Sequence, residues 1–296
     1  MDNIRGAAFM VLAMFCFTLL DTSIKALSQV MPVGQAVALI STGILLLMML
    51  WCVLQGTPLW QQEFRNKWVL LRSLSEVTGT VLIATALSLI PLTTASAVIQ
   101  ATPLVVAMGA GLFLGQTIGW RRWLAIAIGF AGVLLIVRPG LDGFNPATLL
   151  AVAGMLALAC RDLLTRGINV NMTGLQLGMH AIAFVVPGSI GLLIFQGQQV
   201  VMPGAGQWLL VLFGAAIGVA SYISIITATR TGNAGVISSF RYSRMIFALL
   251  VGFVVFGEIP DAATLIGATI IITSGIFTLW REARLRRASL AADAAL

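Results

Sequence analysis

The sequence predicts an all-α membrane protein of ten transmembrane helices, arranged as two inverted five-helix repeats around a central cavity. Three observations carry this. Of 296 residues, 59% are hydrophobic and 9% charged, against roughly 45–50% and about 25% in soluble domains. Too few charged side chains remain to clothe a water-soluble core of this size, so the solvent is lipid. The apolar residues fall in runs of about 20, the length a helix needs to cross a bilayer. Finally, charged and turn residues of the first half recur in the second at a nearly constant offset.

The runs, bounded by polar or Pro/Gly clusters, are 6–27, 33–54, 68–88, 92–114, 123–137, 148–165, 175–195, 208–228, 236–256 and 262–280. Each is long enough to cross as a helix, although the fifth is short. Barrel strands are about ten residues long with alternating polarity, and no such alternation is present. The first run, Gly6 to Ala26, exceeds a signal h-region, lacks an AxA-like cleavage site and is followed by further spans, so it reads as a mature helix. Cys16, Cys52 and Cys160 fall inside apolar runs with neither CxxC spacing nor a nearby histidine. They predict small core residues, and no metal site is expected.

The 17 Lys and Arg exceed the 10 Asp and Glu to give a net charge of +7. In a soluble chain that surplus suggests nucleic acid, but here the cations lie between apolar runs, and no nucleic-acid partner is expected. With the N-terminus inside, the cytoplasmic segments collect Arg5, Arg65, Lys67, Arg121, Arg122, Arg166, Arg230, Arg281, Arg284, Arg286 and Arg287, against Lys25 and Arg138 outside. This positive-inside bias places both termini in the cytoplasm and the chain in the inner membrane. Trp51, Trp68, Trp123, Trp208 and Trp280 sit near span ends, where indoles prefer the headgroup layer.

Asp162 and Arg166 follow Asp21 and Lys25 by 141 positions, and Val255 to Glu258 follow Phe113 to Gln116 by 142. Residues 1–143 and 144–281 therefore form two repeats, with 282–296 a basic cytoplasmic tail. Five spans is an odd number, so the second repeat enters the membrane the other way up. Such symmetry lets one chain present similar sites to either side. Transport by alternating access is the function it predicts.

With these residues in place the chain resembles the EamA-type drug/metabolite transporters, in the branch of amino acid and metabolite exporters. The likeness rests on Thr93 to Pro103 with Phe113 to Gln116, on Gly232 to Ser239 with Val255 to Glu258, and on Gly129, Gly132 and Gly275 in the closing helices. It implies a basket of spans one to four and six to nine around the cavity, with spans five and ten peripheral. It implies export or exchange of amino acids and related metabolites, and no cofactor. Where family members carry Glu at the fourth-span turn this chain has Gln116, so a charged role there does not carry over.

Ionisable groups inside spans are costly and point to function. Arg72 and Glu76, Arg241 and Arg244, and Asp162 and Arg166 are spaced to share helix faces. Glu76 and Arg244 lie about two turns from the cytoplasmic end. Glu76 and Asp162 are expected to meet Arg241, Arg244 or Arg161 as a cytoplasmic gate, with Asp21 and Lys25 sealing the outer side. The bland alternative is that Arg72, Arg161 and Arg241 snorkel and that Asp21 and Lys25 pair at the interface. Arg244 and Glu76 are also candidates to hold substrate, a deep arginine matching a carboxylate.

Gln100, Thr102 and Pro103 in span four and Ser221, Tyr222 and Ser224 in span eight are candidate cavity lining. Pro103 frees a backbone carbonyl, which a cavity or a neighbour must satisfy. Pro187 is a possible hinge. His180, the single histidine, is either structural or a proton relay. Nucleotide-binding and hydrolase motifs are absent. Two other readings remain: an anion exchanger for sugar phosphates or nucleotide-like solutes, motivated by the arginines, and an intramembrane lipid-modifying enzyme using His180 and Glu76.

Overall fold

The computed structural model describes residues 2–115, 119–141, 143–168, 170–231 and 234–293. Gln116 and Gly232, and the side chains of Arg286 and Arg287, lie outside the described residues. The helices are α1 (Asp2–Ser28), α2 (Val33–Leu54), α3 (Lys67–Leu89), α4 (Leu92–Ile99), α5 (Thr102–Phe113), α6 (Trp120–Val137), α7 (Ala147–Gly167), α8 (Gly174–Phe195), α9 (Ala205–Arg230), α10 (Ala234–Ser239), α11 (Ser243–Phe256) and α12 (Ala262–Asp293). Short 3₁₀ turns occupy Gln62–Arg65 and Phe240–Tyr242. Among the described residues there are 10 segments long and apolar enough to cross a membrane, α4 with α5 forming one of them. We call the face from which α1 starts the near face and its opposite the far face. Helix α12 continues through the start of the expected tail to Asp293.

Local chemistry sets the boundaries. Asn66 accepts from the Trp68 amide at 2.9 Å to start α3. Thr173 and Gln176 form a capping box at the start of α8. Gly257 ends α11 at φ 64°, a left-handed turn open to glycine. At the far face Asp261 accepts from the Thr264 amide at 2.8 Å to cap α12 and pairs with Arg138 at the end of α6. The hydrogen bonds from Thr264, then the Arg138 guanidinium, hold the Asp261 carboxyl below the usual carboxylate range.

Span four is broken rather than kinked. Helix α4 ends at Ile99 with Gln100 as its C-cap, and α5 restarts at Thr102, which puts Pro103 in a first turn where its missing amide costs little. The carbonyl four residues before Pro103 belongs to Ile99, and the Thr102 hydroxyl donates to it at 2.5 Å. Span nine breaks at the equivalent place, the 3₁₀ turn between α10 and α11. Pro187, by contrast, sits inside an uninterrupted α8.

The packing is two-fold in pattern. Helix α1 runs along α9 as α3 runs along α7, α2 packs on α8, and α6 packs on α12. Side-chain tethers repeat the pattern. Gln35, in the first turn of α2, donates to the Val201 carbonyl at 2.5 Å and accepts from its amide at 2.9 Å. Gln176, 141 positions later, donates to the Pro58 carbonyl at 3.2 Å. Each glutamine thus ties the first turn of one half's second span to the loop after the other half's second span. Leu92, Leu104, Met155 and Ile271 anchor one buried cluster, and Ile40, Met48, Val185 and Ala215 a second around α2, α8 and α9. Leu46, Leu50, Phe113 and Phe195 are exposed, as surfaces bathed in lipid are. The five belt tryptophans are exposed too.

Candidate functional site

Charged side chains gather at two depths, on either side of the broken spans. The cluster toward the near face joins α3, α7, α9 and the second break. Arg161 donates to Glu76 at 2.7 Å and to Asp162 at 2.9 and 2.7 Å. Tyr222 donates to the same Glu76 oxygen at 3.3 Å. Arg241 stands 3.7 Å from Asp162. Arg72 lies 3.6 Å from Glu76 and donates to Thr165 Oγ1 at 2.9 Å and to the Leu177 carbonyl at 3.2 Å. Glu76 is 3% exposed and Arg72 7%, so the charges at the Glu76 end of the hub are screened from water and interact strongly, while Arg241 at the other end is partly exposed. Three guanidinium groups face two carboxylates. Among the described residues nothing donates a hydrogen bond to Glu76 Oε2.

The cluster toward the far face joins α1, α4 and α11. Arg244 pairs with Asp21 and stacks over the Phe17 ring at 5.8 Å. Lys25 Nζ donates to the Ile90 carbonyl at 2.6 Å and stands 3.1 Å from Glu258. Glu258 in turn accepts from the amides of Leu92 at 2.8 Å and Thr93 at 3.1 Å, and from the Thr93 hydroxyl at 3.2 Å. An anion at the open amides of a helix start is favourable, so Glu258 pins α4 while neutralising Lys25.

Several expected partners differ. Arg244 does not join Glu76 or Asp162, because it lies beyond the break, on α11, which packs against α1. Asp21 and Lys25 do not pair with each other; Asp21 finds Arg244 on α11, and Lys25 finds Glu258 in the turn after α11. Arg166 sits exposed in the last turn of α7. His180 pairs its Nδ1 with Ser73 Oγ at 2.8 Å, whereas Glu76 is held by Arg161 and Tyr222. The acid and base of an intramembrane enzyme are therefore not hydrogen-bonded together.

The mid-span polar residues serve the backbone. Gln100 donates to the carbonyls of Tyr242 at 3.0 Å and Arg241 at 3.4 Å, residues 142 and 141 positions away. It thus bonds its own repeat equivalent and marks the pseudo-two-fold. Ser221 donates to the Gly218 carbonyl at 2.7 Å, and Ser224 is buried on α9. A groove of about 510 Å³ opens elsewhere, between α2, α8 and the segment before α3. The sequence reading gave no role to Glu258, Gln35 or Gln176. A glutamine in the first turn of the second span in each half, 141 positions apart, was the available signal for the last two.

The EamA-like transporter family model matches residues 4–138 and again 145–280, so the chain belongs to that family. It is a multi-pass membrane transporter of small molecules. It is 29% identical over 223 residues to a riboflavin transporter of Vibrio cholerae, covering 74% of each chain. It is 26% identical over 196 residues to an S-adenosylmethionine uptake transporter of Rickettsia felis, covering 66% of each. The pseudopaline exporter CntI of Pseudomonas aeruginosa is 26% identical over 279 residues, covering 92% of this chain and 94% of its own. A solved crystal structure superposes with a TM-score of 0.63 at 19% identity over 96% of this chain and 97% of that one, a likeness of fold.

Proposed function

We propose that the chain exports amino acids and related small metabolites across the inner membrane by alternating access, with broad specificity and both termini in the cytoplasm. Residues 1–143 and 144–281 are the two rocking units, and 282–296 a basic tail. The observation that carries this reading is the pair of ion-paired clusters flanking the two broken spans. Opening the near side requires Glu76 and Asp162 to part from Arg161 and Arg241, with Arg72 and Arg166 at the same end. Opening the far side requires Asp21 to part from Arg244 and Lys25 from Glu258.

Each cluster offers a carboxylate beside a guanidinium, the two signs a zwitterion needs when it replaces one ion pair by two. Glu76, Tyr222 and Arg244, with Gln100, Thr102, Pro103, Ser221 and Ser224 between the clusters, form the solute path in this mechanism. Export is supported by the exporter relative, which aligns over more of its length than the S-adenosylmethionine uptake transporter does.

Counterflow in proteoliposomes tests the proposal. Labelled amino acids inside vesicles are expected to exchange against unlabelled amino acids outside, and Glu76→Gln is expected to abolish exchange while the protein still inserts. Absence of counterflow for every zwitterion overturns it. The surplus guanidinium in the near-face hub favours a second reading, exchange of anionic solutes. Exchange driven by sugar phosphates and blind to zwitterions would select it.

A further inference from the structure

The groove beside α3 is distinct from both ion-pair clusters. Met49, Trp60, Phe64, His180 and Phe184 contribute to its wall, and Arg65 stands at its rim. The His180 ring lies 4.8 Å from Phe64 and 5.0 Å from Phe184, and its Nδ1 is taken by Ser73. The histidine is thus part of the wall. A shallower recess of about 330 Å³ runs along the other side of Leu70, lined also by Lys67, Trp68, Leu71 and Leu74. Leu70 belongs to both hollows, Arg65 lines the first and Lys67 the second, so the ridge of residues 65–67 borders both. The Asn66 cap fixes that ridge to the first turn of α3.

Depth identifies what covers this surface. Met49 lies five residues before the near-face end of α2 and His180 six residues into α8, which is about 8–9 Å into the bilayer at the helical rise. Leu46 and Leu50, on the same stretch of α2, are 61% and 54% exposed. An apolar hollow open to the outside at that depth meets acyl chains. Trp60 and Trp68 are 71% and 49% exposed at its upper edge, the level at which indoles meet headgroups. The charge is one-sided. Adding 141 positions to Arg65 and Lys67 leads to Gly206 and Trp208, so the equivalent rim at the far face has no cation.

We propose that the two recesses hold one anionic phospholipid, an acyl chain in each, with its phosphate between Arg65 and Lys67. Arginine supplies paired donors to two phosphate oxygens and lysine a point charge. The lipid would bind α2, α3 and α8 together beside the near-face hub. It needs no transported solute, so its test stands apart from the proposed function.

The test reads Trp60 in the full-length protein reconstituted into phosphatidylcholine vesicles. Phosphatidylcholine or phosphatidylglycerol brominated on the acyl chain is titrated in over the same range of mole fraction. The Trp60 signal is the difference between each protein and its Trp60→Phe version. Brominated phosphatidylglycerol is expected to quench Trp60 at about thirtyfold lower mole fraction than brominated phosphatidylcholine, the preference two interfacial cations confer together. Arg65→Gln with Lys67→Gln, both on the exposed ridge, is expected to bring the ratio near one. Ala183→Phe, which fills the groove, is expected to weaken quenching by both lipids. Equal quenching by the two lipids in the unaltered protein overturns the proposal, and so does a preference that survives loss of both cations. Relief of quenching by a flat water-soluble heteroaromatic such as a flavin also overturns it, since the groove would then be a solute port.

Discussion

Asp21 and Asp162 stand at equivalent positions of the two halves, yet they are neutralised in different ways. Asp21 meets a single arginine, Arg244, across the bundle from α11. Asp162 takes Arg161 from its own helix, shares that arginine with Glu76, and has Arg241 at 3.7 Å. The position in the first half that corresponds to Arg244 is Thr102 or Pro103, neither of them a cation. Asp162 therefore has no counterpart of Arg244 to meet, and the near-face hub is assembled from other helices. The repeat duplicates the backbone scaffold and leaves the charges free to differ. One end is closed by discrete pairs, the other by a shared network.

Removing one carboxylate at a time should separate the two designs. Asp21→Asn strands Arg244 in a buried site and is expected to cost about 3–5 kcal/mol, the usual penalty for breaking a buried pair. Asp162→Asn should cost about 1–2 kcal/mol, because Arg161 keeps Glu76. Thermal denaturation in detergent measures both, and equal losses would remove the distinction.

A smaller effect is expected at the far-face staple. Glu258→Gln keeps one acceptor oxygen where the carboxylate has two, so one of the Leu92 and Thr93 amides loses its partner and the charge facing Lys25 goes too, at about 1–2 kcal/mol. A cysteine at Ser96, buried on α4, should then react faster with an impermeant maleimide from the far side. Unchanged labelling would mean that Glu258 does not hold α4 shut.

The tethers sharpen the two-fold itself. Gln35→Ala and Gln176→Ala should each cost about 1 kcal/mol and agree within a few tenths. A large disparity would show that one tether is idle. The smallest effect belongs to Asp261. Its carboxyl is held below the usual carboxylate range, so the stability it adds is complete above that range and fades as pH falls through its depressed value. Asp261→Asn, which keeps the cap, should match the unaltered protein in acid and fall slightly below it at neutral pH in thermal scans. The gap should stay within a few tenths of a kcal/mol, because the pair is exposed.

Much of the scaffold was legible because bilayer thickness and backbone hydrogen bonding dictate apolar runs of a set length. The run 33–54 coincides with α2, and the run 175–195 starts one residue inside α8 and ends with it. Turn chemistry was less transparent. Pro103 reads as the disrupter of span four, yet the interruption falls two residues earlier, where Thr102 replaces the lost donor. Which charges lay inside the bundle was plain from their cost in lipid. Their partners were not: Lys25 and Glu258 are 233 positions apart, and only the packing of α1 against α11 and α4 brings them together. Likewise the groove beside α3 is built from segments far apart in the chain, which no single window of sequence displays.

The α6–α12 crossing has one more consequence. A Cβ placed on Gly132 would stand 2.8 Å from the Gly267 carbonyl oxygen, and one on Gly267 would stand 2.7 Å from that of Gly132. Main chain rests on main chain there, with no rotamer between them to yield. Sliding one closing helix along the other would drive peptide groups into side chains above and below the contact. Pivoting about it costs far less, so the contact suits a fulcrum, at which a helix end pushed one way at one surface of the membrane swings the other end the opposite way.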